Sequence, residues 1–201
     1  MQMKPLNFIA IVIATAIASH TLALHFIPSG IMNIAMKRIP VSGVISAEKM
    51  LKLEKDPNRI SSRIISQKGI NVAMPSARMD HRQRTVVRST PDILYTACIY
   101  DLNDGPLQLT TPTIGGYTSV SAFADNTDNY FTEDDRSAIS NKLDVTLVSN
   151  DWSGDVPEGS KAVTSPSEKG IVLFRVLIEN EVDFDMHVQR QRQARCTTLK
   201  S

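Results

Sequence analysis

From Leu6 to Ile27 the chain reads LNFIAIVIATAIASHTLALHFI, 22 residues without an Asp, Glu, Lys or Arg. A helix rises about 1.5 Å per residue, so this stretch reaches roughly 33 Å, enough to cross a hydrocarbon core of about 30 Å. The sequence therefore predicts an N-terminal transmembrane helix that holds everything after it at a membrane. A signal peptide is the competing reading. Lys4 supplies a short basic start, the run from Leu6 to Ala18 an apolar core, and Ala16-Ile17-Ala18 a small-x-small cleavage pattern. Cleavage near Ala18 would release a soluble exported domain. The apolar run continues through Leu22, Leu24, Phe26 and Ile27, which favours the uncleaved anchor.

Two signals bear on which side of the membrane the rest occupies, and they disagree. Lys37 and Arg38 follow the span closely while Lys4 precedes it, a distribution that leans against export of the C-terminal part. The two cysteines, Cys98 and Cys196, lean the other way. An even count in an exported domain suggests a disulfide, which persists in an oxidising compartment such as the periplasm. Two buried free thiols are the alternative. The expected placement is a single-pass membrane protein with its C-terminal domain on the oxidising side.

The remainder divides by composition. Residues 1–27 form the anchor, 28–60 a juxtamembrane linker that opens on a short junction from Pro28 to Pro40 and carries a short charged helix over 47–56 ended by Pro57-Asn58, and 61–201 one domain large enough to bury a core. Within that domain, residues 92–102 alternate with apolar side chains on both faces, and 171–178 (IVLFRVLI) is nearly all apolar; both read as central strands. Residues 107–111, 117–124 and 143–149 add strands, with turns at Asn103-Asp104-Gly105-Pro106 and Gly115-Gly116. Residues 107–111 are expected to pair back on 92–102. Residues 181–196 read as a helix. The predicted fold is mainly β (β-rich α+β): an antiparallel sandwich or barrel-like domain with a C-terminal helix, preceded by the transmembrane helix.

The run Val86-Val87-Arg88-Ser89-Thr90-Pro91-Asp92-Ile93-Leu94-Tyr95, followed by Tyr100-Asp101-Leu102 and Gly105-Pro106-Leu107, resembles the bacterial family known as domain of unknown function 1254. Ala124-Asp125-Asn126-Thr127-Asp128-Asn129-Tyr130-Phe131 and Asp135-Arg136 extend the likeness. It is greatest to the short, membrane-anchored members, whose chains end in a basic helix and a Cys. Longer members carry Arg-Pro-Asn-x-Asp-Thr-x-Tyr, where this chain has Ser89, Thr90 and Ile93 in place of Pro, Asn and Thr, so no role of that Asn or Thr carries over. The resemblance implies a β-rich domain of the bacterial envelope, hence a single-pass protein of the inner membrane with its C-terminal domain in the periplasm, and a companion domain fused to it or encoded beside it. It implies no settled activity.

Three groups of side chains could carry function. Arg88, Asp92, Tyr95, Tyr100 and Asp101 are expected to form a polar pocket at one strand end, Arg88 taking an anion. Turn-capping and core-edge roles for the same residues are the plainer reading. Asp125, Asn126, Asp128, Asn129, Asp135 and Arg136, with Glu133 and Asp134, are dense in oxygen. They lack the Gly and the spacing of a Ca²⁺ loop, and Tyr130-Phe131 interrupts them, so Asx-turns are the expectation. Arg175, inside an apolar run, is a further candidate for the ligand pocket; it is expected to pair with a carboxylate such as Asp92 or Asp101, the alternative being that its face is solvated at a cleft.

No hydrolase elbow, phosphate loop, dinucleotide motif or zinc motif is present. His81 and His187 are the histidines outside the anchor, and neither has metal-ligand spacing. No cofactor or metal is expected, and a net charge of +1 offers no global field for nucleic acid. The expected function is a non-enzymatic binding or assembly module that acts with a companion envelope protein. The alternative is an envelope hydrolase or modifying enzyme using Arg88, Asp92, Tyr95 and Asp101.

Overall fold

The computed structural model describes residues 5–52, 60–79 and 89–199. The first element, α1 (Pro5–Lys52), is a single helix of 48 residues. The residues expected as linker and short helix continue it as far as Lys52, through Pro28 and Pro40; the Pro57-Asn58 stop signal lies outside the described residues. A proline removes one helical N–H and crowds the carbonyl four residues back, so two in one helix need compensation. Tertiary burial supplies it. Met32, Ala35, Pro40 and Ala47 are buried, and Met36, Ile39 and Val44 pack beside them. The first half of α1 does the opposite. Its most apolar 18-residue window has no buried residue, and it is long and apolar enough to cross a membrane.

A short helix, α2 (Ile60–Ser66), packs on α1 and leads into a sandwich of two sheets. One sheet holds β1 (Met74–Pro75), β2 (Ile93–Asp101), β4 (Thr118–Ala124), β5 (Asn129–Asp134) and β8 (Lys169–Leu177) in the order β1-β2-β8-β4-β5. The other holds β3 (Leu107–Pro112), β6 (Lys142–Val148), β7 (Lys161–Thr164) and β9 (Arg195–Thr198) in the order β7-β6-β3-β9. The strand-rich α+β fold is the one the sequence predicts, with three differences. The β6–β7 pair is parallel. The stretch from Leu102 to Pro106 carries the chain from one sheet to the other, so β2 and β3 do not form a hairpin. The terminal helix, α3, covers only Phe184–Gln191, and Cys196 lies on a strand after it.

Strand parity sorts the side chains of the larger sheet. Cys98, Tyr100, Val120, Ala122, Val172 and Phe174 face the other sheet and join Leu107, Leu109, Val145, Leu147 and Cys196 in the main core. Ile99, Ile171, Leu173 and Phe123 face outward, under the second half of α1. A helix therefore covers one half of the sheet's outer face, and this is why β2 and β8 are apolar on both sides. Cys98 and Cys196 form a disulfide that ties the two sheets across the core.

Gly170 marks the closest packing. A β-carbon there would lie 2.2 Å from the Phe123 carbonyl oxygen and 2.4 Å from the Tyr100 hydroxyl. One obstacle is backbone and the other is a fully buried ring. Gly170→Ala is expected to destabilise by about 1–3 kcal/mol through overpacking, read as a lower denaturation midpoint. An unchanged midpoint would mean that β4 and Tyr100 shift freely.

Candidate functional site

The sandwich has two distinguishable ends. Ser29, Asn33 and Met36 of α1 line a groove of about 490 Å³ with Asp125, Asn150 and residues 165–169, so the apolar half of α1 leaves the domain at this near end. The far end holds the start of β2, the loops 113–117 and 135–141, and α3.

The expected pocket residues are divided between these ends. Arg88 and His81 lie outside the described residues. Asp92 and Tyr95 sit at the far end, Tyr100 and Asp101 at the near end of the same strand. Five residues of strand separate Tyr95 from Tyr100 by roughly 17 Å, and an odd offset puts them on opposite faces. Asp92 is occupied locally. Its carboxylate accepts from Thr90 Oγ1 at 3.3 Å, and its carbonyl accepts from the Ile178 N–H at 2.8 Å. Arg78, unremarkable in the sequence, organises this corner. It donates two bonds to Glu181 at 2.7 and 2.9 Å and one to the Pro91 carbonyl at 2.8 Å, and lies over the Phe184 ring.

Tyr100 is fully buried. Its hydroxyl lies 2.9 Å from that of Ser165, donates to the Phe123 carbonyl at 3.3 Å, and accepts from Tyr130 at 3.2 Å. Burial, with the neighbouring Tyr100, pushes the Tyr130 phenol well above its ordinary range. Asp101 accepts from Asn103 and pairs with Lys169 at 2.8 Å. Its partial burial opposes ionisation, but the Lys169 and Asn103 bonds prevail and hold it below the usual carboxylate range. These near-end groups are internally satisfied.

The second polar cluster is split in the same way. Asn126 and Asp128 build the β4–β5 turn, where the Asp128 N–H donates to Asn126 Oδ1 at 3.0 Å and Asn126 Nδ2 donates to Asp128 Oδ2 at 2.6 Å. Asp125 and Asn129 flank that turn, an exposed Asx-type arrangement. Asp135 and Arg136 lie beyond β5 at the far end, where Arg136 pairs with Asp134 at 2.5 Å. Among the described residues no group of three His, Cys, Asp or Glu side chains is placed to hold a metal ion.

Arg175 corrects an expectation. It faces outward and donates through Nη1 to Ser121 Oγ at 2.8 Å rather than to Asp92 or Asp101. Those carboxylates lie at the two ends of β2 and have their own partners. Register places Arg175 directly between Tyr95 on β2 and Ser119 on β4, with Asp134 next across β5. The outer row Tyr95–Arg175–Ser119–Asp134 crosses four strands beyond the part covered by α1. Ser119 and Ser121 are buried, and Ser119 Oγ has no hydrogen-bond partner among the described residues. Nothing in the sequence marks these serines, because the pairing that brings them to Arg175 is a matter of register.

The family profile "Protein of unknown function (DUF1254)" matches residues 70–198, the sandwich from the approach to β1 through β9. The chain belongs to the DUF1254 family. Among solved structures, the VPA0106 protein from Vibrio parahaemolyticus superposes with a TM-score of 0.53 at 13% identity, over 86% of this chain and 37% of that one. A putative uncharacterized protein from Burkholderia cenocepacia gives a TM-score of 0.46 at 13% identity, over 70% of this chain and 41% of that one. This DUF1254 chain thus spans well under half the length of either, and the Vibrio likeness speaks for the fold. No curated protein matches the sequence.

Proposed function

We propose that this DUF1254 protein is a non-enzymatic assembly module of the cell envelope. The first half of α1 anchors it in the inner membrane, the sandwich lies in the periplasm, and the far end docks on a companion protein. The observation that carries the reading is the apolar far end. Among the described residues, Ile114, Tyr117, Ile139, Val182 and Met186 are the large exposed apolar side chains outside α1, Val182 at 93%, and all belong to the far-end loops or the start of α3. Exposed apolar surface gathered in one region is a mark of an interaction site. The disulfide supports the periplasmic side, since cytoplasmic thiols are kept reduced.

The test uses the tagged full-length protein drawn from native membranes in mild detergent, beside a Tyr117→Asp/Val182→Asp variant. The wild type is expected to carry a stoichiometric partner that the variant loses while staying folded. A wild type that emerges alone as a monomer overturns the docking reading. An alkaline phosphatase fusion after Ser201 checks the side of the membrane: it should be active, and an inactive fusion removes the periplasmic assignment.

A further inference from the structure

We propose that the outer face of the larger sheet at Arg175 is a binding site for a carboxylate group. The inference is independent of the docking surface at the far end. It starts from an imbalance of charge. Arg175 is half-buried, and its hydrogen-bond partner among the described residues is one neutral hydroxyl, Ser121 Oγ at 2.8 Å from Nη1. No carboxylate of the described residues lies within ion-pairing distance of it. A half-buried guanidinium is costly to leave without a counter-charge. The nearest acid in its row, Asp134, is committed to Arg136 through three hydrogen bonds of 2.5–3.2 Å.

The donors that remain have a shape. With Nη1 turned to Ser121, the edge formed by Nε and Nη2 has no partner among the described residues. That edge presents two parallel N–H bonds, the spacing that the two oxygens of a carboxylate accept. Directly opposite residues on paired strands hold their β-carbons about 4.5–5.5 Å apart, so Ser119 and Tyr95 flank the foot of the Arg175 side chain, whose guanidinium reaches along β4 to Ser121. Ser119 is 1% exposed and its hydroxyl has no partner among the described residues, a buried donor in the same row as the arginine. Tyr95 accepts from the Thr90 N–H at 3.4 Å, which leaves its own proton free to donate. One monovalent anion satisfies this set: two bonds from the guanidinium edge and one from a flanking hydroxyl. A phosphate dianion would bring twice the charge to a single cation. The row contains no nucleophile paired with a base, so the site binds and does not catalyse.

The experiment titrates the ¹⁵N-labelled full-length protein in detergent with sodium acetate, with inorganic phosphate, and with chloride at matched ionic strength. The expected result is a saturable shift of the Ser119 and Ser121 backbone amides with acetate, with a midpoint on the order of millimolar, absent with chloride. Arg175→Lys should abolish it. Ser119→Ala, which removes only the flanking hydroxyl, should weaken it roughly three- to tenfold and keep the fold. Shifts that track chloride, or an acetate response unchanged in both variants, would overturn the site. Tighter binding of phosphate than of acetate would overturn the carboxylate assignment.

Discussion

Loss of the Cys98–Cys196 bridge is expected to lower the stability of the sandwich by about 2–5 kcal/mol. The bridge joins residues 98 apart in sequence, and a loop of roughly 100 residues sits at the upper end of the chain-entropy scale, near 4.7 kcal/mol. Its position adds to that figure. Cys98 lies on β2 and Cys196 on β9, in different sheets, and both are fully buried in the main core. The strand β9 has four residues, pairs with β3 alone, and forms the edge of its sheet. Four ladder positions are a weak hold on a chain end, so the covalent link is what fixes β9, and α3 before it, against the core. The measurement compares denaturant midpoints of the Cys98→Ala/Cys196→Ala variant and the wild type. Because both sulfurs are inaccessible, reductant alone should leave the native wild type unchanged and act only once denaturant opens the sheets. Equal midpoints for variant and wild type would show that the core holds the two sheets without the bridge.

The interior strands β2, β3, β4, β6 and β8 were legible in the sequence, most plainly the two that the fold buries on both sides. β2 and β8 read as central because α1 covers Ile99, Ile171 and Leu173 outside while Cys98, Val172 and Phe174 fill the inside. The edge strands were not legible. β5 is six polar or aromatic residues that resemble a turn, β7 is four residues with little burial, and β9 follows a helix so closely that its pattern merges with the helix period. Pro28 and Pro40 argued for a break in α1, and packing against the domain overrode that local preference. The candidate site was legible in half. Arg175 announced itself as a charge in an apolar run. The closeness of Asp92, Tyr95, Tyr100 and Asp101 in sequence suggested one pocket, yet the two-residue period of a strand already separates Tyr95 from Tyr100. The neighbours of Arg175 are set by register with β4, and no local pattern encodes that.

A second arginine is expected to matter more for stability than any exposed ion pair of the molecule. Arg190→Met should destabilise by about 2–4 kcal/mol, while Arg136→Met should leave the denaturation midpoint almost unchanged. Contact lengths alone suggest the reverse, since Arg136 makes a short pair with Asp134, whose carboxyl the contact holds below its usual range. But Arg136 is 85% exposed, and water and salt screen such pairs. Arg190 is buried at the far end, and no carboxylate of the described residues lies within ion-pairing distance. Its guanidinium instead donates to the carbonyl of Gly115 through Nη1. Through Nη2 it donates to those of Gly116 at 2.9 Å and Tyr117 at 3.3 Å, and to Thr118 Oγ1 at 2.6 Å. Burial lowers its basicity, against the pull of Glu179 and Asp135, but a guanidinium stays protonated at any working pH. Met keeps much of the volume and none of the donors, so the loop 113–117 loses its clamp while its carbonyls, part-buried under the guanidinium, turn to water. That relief is why the loss stays below the sum of four hydrogen bonds. A lysine has no planar fork to spread over this row of acceptors, so Arg190→Lys should recover only part of the loss. The same loop carries Ile114 and Tyr117, so the Met variant should also show faster amide exchange at Tyr117 and Thr118. An Arg190→Met protein with a wild-type midpoint and unchanged exchange would mean that the loop is held by its own turns, and the arginine by the loop.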